Sequence, residues 1–180
     1  MNQTSSFAGV LNAVAGSPAP ELLQDLRLRG RESFATLGLP DRRQEEWRFT
    51  GLRAIQSEVY DPPSTATPRV DVAPWRIPNA RLLVFADGIF APDISEIGDL
   101  PDGLVVSNLF LGATSGSEAV SRHLGSLAPF EEHPFAALNT ALFADGAYIH
   151  LPAGLKLERP IQFVFVSGSE AHTILSAPRF

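Results

Sequence analysis

The chain has 180 residues, 44% of them hydrophobic and 19% charged, with a formal net charge of −6 and no cysteine. That apolar share suits a chain that buries a core and excludes the polar, highly charged composition of a disordered one. The acidic balance excludes an unspecific nucleic-acid binder, and the missing thiols remove disulfides, thiolate metal ligands and a cysteine nucleophile.

The first dozen residues, rich in Ser, Ala and Asn, read as a weak helix or a frayed terminus. Ser17-Pro18-Ala19-Pro20 is a helix-start signal, a hydroxyl cap followed by prolines where no backbone donor is needed. Leu22, Leu23, Leu26, Phe34 and Leu37 recur at three- and four-residue spacing, with Gly30 in the same stripe. This predicts an amphipathic helix whose glycine lets another element approach closely. Gly38 and Pro40 end it. Asp41, with Gln44 placed as in a capping box, opens a second short helix carrying Glu45, Glu46, Trp47 and Arg48. Thr50 is positioned to cap a further turn through Ile55, so helix should dominate residues 18–56. From Asp61 to Pro78, five prolines make a connector.

Leu82-Leu83-Val84-Phe85 and Ile89-Phe90 flank Asp87-Gly88, a pair suited to a type I′ turn, which predicts a hairpin over 81–92. Val105-Val106 reads as a strand. Ser115 and Glu118 form a capping box ahead of Val120, Leu124 and Leu127. Phe135, Leu138 and Leu142 predict a short helix from His133-Pro134. From Ala147 the chain becomes strand-like: Tyr148 to Leu151, Leu155 to Leu157, Ile161 to Val166 and His172 to Leu175, so strand should dominate 147–176. Phe85-Ala86-Asp87-Gly88 returns as Phe143-Ala144-Asp145-Gly146, read as the same turn chemistry arising twice. The strand series reaches Phe180 with no polar ending or capping helix. The expectation is the first portion of a longer protein, with a free apolar sheet edge at Val164, Val166, Ile174 and Phe180 open to self-association.

No phosphate-binding loop, dinucleotide fingerprint, nucleophile elbow or helical zinc motif is present. The histidines at 123, 133, 150 and 172 lie in separate segments, and Glu131-Glu132-His133 reads as a solvated turn because adjacent residues do not point at one metal. Asp87 and Asp145 read as turn residues before a glycine. From Arg27 to Arg81 ten arginines face seven acids, which reads as a solvated helical surface with the acids interleaved. Trp47 reads as a packing anchor holding the short helix to the long one, with Arg42, Glu45 and Arg48 pairing around it. Its truncation to Ala would then cost roughly 3–5 kcal/mol. No catalytic, cofactor or metal site is expected. With no basic residue before Arg27 and no run of the ~20 apolar residues a membrane helix needs, the expected location is the cytoplasm.

Gly38-Leu39-Pro40 followed by Arg42, Glu45, Trp47, Arg48, Phe49, Thr50 and Leu52 resembles the N-terminal signature of SufD proteins. Arg81 to Phe85 with Asp87-Gly88 is similar to that family's next segment. Leu138-Asn139-Thr140, Asp145-Gly146, Ile149, Leu151-Pro152, Gly154 and the 161–166 strand resemble the start of its core. The β portion alone suits the SufB paralogue as well. The resemblance implies an α+β chain, with a helical N-terminal region followed by the first strands of a right-handed parallel β-helix. It divides the chain into a helical region at 1–60, a connector at 61–79, an α/β segment at 80–134 and the start of the core at 135–180. It implies a non-catalytic scaffold subunit for iron–sulfur cluster assembly with SufB and SufC as partners, the region that docks SufC lying outside this chain. Arg42, Glu45, Trp47, Arg48 and Thr50 are then signature residues with a structural role. An enzyme built on a β-helix and a stand-alone binding module using the Arg-rich segment are the rival readings.

Overall fold

The computed structural model describes residues 5–62 and 70–167. In chain order its elements are α1 (Ala8–Ala15), α2 (Glu21–Leu37), α3 (Arg53–Ser57), β1 (Arg81–Ala86), β2 (Ile89–Phe90), β3 (Val105–Asn108), α4 (Leu109–Thr114), α5 (Glu118–His123), α6 (Pro134–Leu142), β4 (Ala147–His150) and β5 (Ile161–Val166). Among the described residues the fold is α+β, with two small sheets and no closed barrel. His172 to Leu175 and the distal part of the expected free edge lie outside the described residues.

The helical half is built on α2. Leu23, Leu26, Gly30 and Phe34 form its buried stripe, as their spacing requires. Gly38 ends it with a positive φ and a backbone N–H to Phe34 O of 2.8 Å. The start differs from the expected hydroxyl cap. Pro20 holds the N-cap position without a side-chain bond, while Ser17 Oγ donates back to Val14 O at 2.7 Å and closes α1. The first helix is no frayed end either. Val10, Leu11 and Val14 are buried, and Phe7 packs edge-on to Phe34 and stacks on Tyr60 at 5.0 Å. Burial of these side chains, worth about 2 kcal/mol each, outweighs the weak local propensity. α6 lies along α2, adding Ala137, Leu138, Ala141 and Leu142 to the same core.

In the larger sheet the order is β2-β1-β5. Asp87 (φ 50°) and Gly88 (φ 82°) turn β1 into antiparallel β2, the pair of positive angles that a type I′ hairpin requires. β5 joins the other side in parallel, from Arg81 opposite Ile161 to Ala86 opposite Val166. The central strand is buried on both faces: Leu82 and Val84 pack with Ala91 and Val164, and Leu83 and Phe85 with Leu104 and Val106. A continuous apolar run is what such a strand needs. The second sheet is the antiparallel ribbon β3–β4.

Four local expectations give way to tertiary context. The short helix after Asp41 is only a 3-10 turn at Glu45–Trp47, with Asp41 Oδ1 accepting from Arg43 N at 2.8 Å. Thr50 caps nothing; α3 begins after Leu52 without a side-chain cap. The serine capping α5 is Ser117, accepting from Val120 N, because Ser115 is taken up in ending α4. Leu155 to Leu157 form no strand: Leu155 N closes a turn on Pro152 O, and both leucines pack against the β1 core instead.

Candidate functional site

The signature segment is a surface loop. Arg42, Glu45, Arg48 and Thr50 are exposed, and Trp47 is half-buried. The Trp47 ring meets Phe135 at the start of α6, 5.2 Å between centroids, and is the segment's aromatic tie to the helical body. Arg48 sits 4.0 Å from Glu45 and 5.4 Å over the ring of Phe49, itself 90% exposed. An exposed pair of this kind contributes about 0–1 kcal/mol. The structure therefore brings Glu45, Trp47 and Arg48 onto one turn and leaves Arg42 and Thr50 on the rim of a neighbouring hollow. Half-burial lowers the expected penalty for Trp47. Trp47→Ala should destabilise by about 1–2 kcal/mol in urea unfolding, and a loss of the full 3–5 kcal/mol would show a ring more enclosed than this.

Beside it lies a hollow of about 610 Å³ between Pro40–Arg42 and Thr50–Gln56. Residues of β3, β4, α5 and β5 line a larger apolar cleft of about 1080 Å³. Tyr148, Ile149, Leu151, Leu124, Phe163 and Phe165 supply its walls, and Ser117 Oγ and Tyr148 OH lie 2.9 Å apart at its side. Phe163 and Phe165, on β5, which among the described residues has only β1 as a neighbour, and Leu151, just past β4, are each more than a third exposed there.

Two residues turn out to matter more than their sequence context suggests. Asp145 is no turn residue: neither it nor Gly146 takes a positive φ, and its carboxylate is buried. Oδ1 accepts from Phe110 N (3.0 Å) and Gly146 N (2.9 Å), while Oδ2 accepts from Asn108 Nδ2 (2.8 Å) and Phe90 N (3.3 Å). One side chain thus ties β2, β3, the start of α4 and its own loop together. Asn108 completes the cap, accepting from Leu111 N. Arg27, expected on a solvated surface, is buried and donates to Phe143 O (2.9 Å), Ser17 Oγ (3.2 Å) and Ala144 O (3.4 Å). Burial pushes its guanidinium below the usual arginine value. The role of each of these buried groups is a signal only the partners reveal.

Among the described residues no group of three or more His, Cys, Asp or Glu is placed to hold a metal ion. Glu131, from the Glu-Glu-His cluster, is paired with Arg29 at 2.8 Å, and His150 is exposed on β4. No helix among the described residues is long and apolar enough to cross a membrane.

The arrangement is one of loops and edges tied to a core, with buried Arg27 and Asp145 engaged mainly by backbone groups. Comparison with known proteins agrees with such a part of a larger body. The profile of the SufBD protein N-terminal region matches residues 10–163, and the chain belongs to that family. It is similar to an iron-sulfur cluster assembly SufBD family protein of Synechocystis, 29% identical over 172 residues that make up 93% of this chain and 37% of the relative. The iron-sulfur cluster assembly protein SufB of Bacillus subtilis is 27% identical, over 84% of this chain and 35% of that protein. A SufBD family protein of Staphylococcus haemolyticus is 29% identical with the same shares. The chain thus spans little more than a third of the length of the curated relatives it matches.

Proposed function

We propose that this chain forms the N-terminal portion of a non-catalytic scaffold subunit for iron–sulfur cluster assembly, of the SufD type, working in the cytoplasm with SufB- and SufC-type partners. The observation that carries this reading is the family match over residues 10–163, with relatives named for cluster assembly. The chemistry agrees. Each oxygen of Asp145 is occupied by two N–H donors and Arg27 by two carbonyls and a hydroxyl, so these buried groups hold the fold instead of facing a substrate. The cluster is cargo of the complete assembly, and this portion holds no cofactor of its own.

In the complete scaffold, residues 1–60 are the helical region, 61–79 the connector, 80–134 the α/β segment and 135–180 the start of a right-handed parallel β-helix. The in-register parallel pairing of β1 with β5, and the exposed Phe163 and Phe165 beside it, suit a strand edge on which further coils stack. Assignment to the SufB paralogue is the second reading, favoured by the 27% identity to the Bacillus subtilis protein.

Deleting the coding region in its host should lower the activity of a cluster-dependent enzyme such as aconitase several-fold at unchanged enzyme protein. The purified chain should hydrolyse no ATP and carry far less than one iron or zinc ion per molecule. Unchanged aconitase activity would refute the assembly role, and about one tightly bound ion per chain would refute the cargo reading.

A further inference from the structure

We propose that the hollow between Pro40–Arg42 and Thr50–Gln56 is a docking site for a carboxylate side chain on an acidic segment of a partner protein. The inference rests on the hollow itself and stands or falls independently of the assembly role.

Two arginines, Arg42 and Arg53, are among its lining residues, together with Thr50 and Gln56. Among the described residues neither arginine has an ion-pair or hydrogen-bond partner. The nearby acids are engaged elsewhere. Asp41, the one carboxylate in the lining, accepts from Arg43 N at 2.8 Å and lies 4.0 Å from the Arg43 guanidinium, and Glu45 faces Arg48. Arg42 is nevertheless placed. A Cβ built at Gly51 would stand 3.0 Å from its Nη2, so the guanidinium lies against bare backbone that any larger residue would occupy. Planar forks of this kind match a carboxylate bidentately.

The choice of a protein partner follows from exposed apolar residues that flank the lining in sequence. Phe49, next to Thr50, is 90% exposed, and Val59, just past α3, is 69% exposed. Exposed aromatic and aliphatic side chains flanking arginines are the composition of protein contact surfaces. Arginine forks also match phosphate, but the hollow adds no long-helix N-terminus to them, since α3 has only five residues; inorganic phosphate is therefore the control.

The test uses the full chain with an acetylated hexaglutamate peptide at low salt, with hexaglutamine and inorganic phosphate in parallel, followed by backbone and arginine-Nε NMR. Hexaglutamate should shift Thr50, Gly51, Gln56 and the Nε–H signals of Arg42 and Arg53, and hexaglutamine should not. R42Q and R53Q should each weaken binding about tenfold, the scale of one lost charge-assisted hydrogen-bonded contact. Thermal melting should be unchanged, since neither side chain has an internal partner. G51V should weaken binding without changing the charge, because it displaces Arg42. Equal shifts at Arg29, Arg31 and Arg122, or wild-type affinity in R42Q and R53Q, would overturn the site. Phosphate producing the same shifts at equal concentration would overturn the acidic segment in favour of a free anion. Absence of binding at millimolar peptide would overturn it altogether.

Discussion

Asp145→Ala is expected to destabilise the chain by about 4 kcal/mol, lowering its melting temperature by about 10 °C. The carboxylate accepts from three backbone N–H groups and one side-chain amide in a buried setting. Removing it strands four donors, each costing about 1–3 kcal/mol where water cannot reach, partly offset by relaxation of the loop. Asp145→Asn separates this from mere filling of space. The amide has the same shape but one acceptor, so whichever way it turns, its NH₂ faces two donors. About half of the alanine penalty should remain. A wild-type urea midpoint for the asparagine variant would mean that the four bonds contribute nothing beyond shape.

Gly30→Ala carries the second large effect, and its sign is the test. In an exposed helix interior the change would stabilise by about 1 kcal/mol, since alanine restricts the unfolded chain. Here the added Cβ would stand 2.6 Å from Ala141 N and 2.8 Å from the Thr140 carbonyl carbon, both main-chain atoms that cannot rotate away. α2 and α6 must separate, loosening the contacts of Phe34 with Leu138 and Ala141. The expected net loss is about 2–3 kcal/mol. Gly9→Ala is the control: in α1, its Cβ would come no nearer than 3.9 Å, to Tyr60 O, and a gain of about 0.5 kcal/mol is expected. If both variants gain stability in urea unfolding, the two helices are not in close contact.

These two residues also mark where the sequence is legible and where it is not. The close approach at Gly30 follows from its place in an apolar stripe, and the helix at 134–142 and hairpin at 81–90 follow from spacing and turn residues. Each of those signals is local. The tetrapeptide Phe-Ala-Asp-Gly shows the limit, because it occurs twice with opposite outcomes. At 85–88 its aspartate and glycine take positive φ and reverse the chain; at 143–146 neither takes a positive φ and the aspartate becomes a buried acceptor. What differs is the donors brought in from 35 to 55 residues away, and no window around Asp145 contains them. Arg27 is the same case, its acceptor Phe143 O standing 116 residues on. The candidate site divides likewise. Glu45, Trp47 and Arg48 share a turn that their proximity suggests, whereas the pairing of Arg42 with Arg53 across a hollow appears only once Gly51 has been folded against Arg42.

The parallel alignment of β1 with β5 sets a timetable for synthesis. Arg159, at the approach to β5, bonds back to Asn79 O, 80 residues earlier in the chain. At a ribosomal rate of about 5–20 residues per second, β1 waits about 4–16 s for its partner. Its hairpin with β2 closes within about 10 μs and covers one edge. Through that interval the other edge of Leu82 to Phe85 stays unpaired, while its faces are covered only as Ala91, Leu104 and Val106 emerge. A co-translational chaperone that binds extended apolar segments should therefore find an open edge on the ribosome at the very strand that ends up most deeply enclosed.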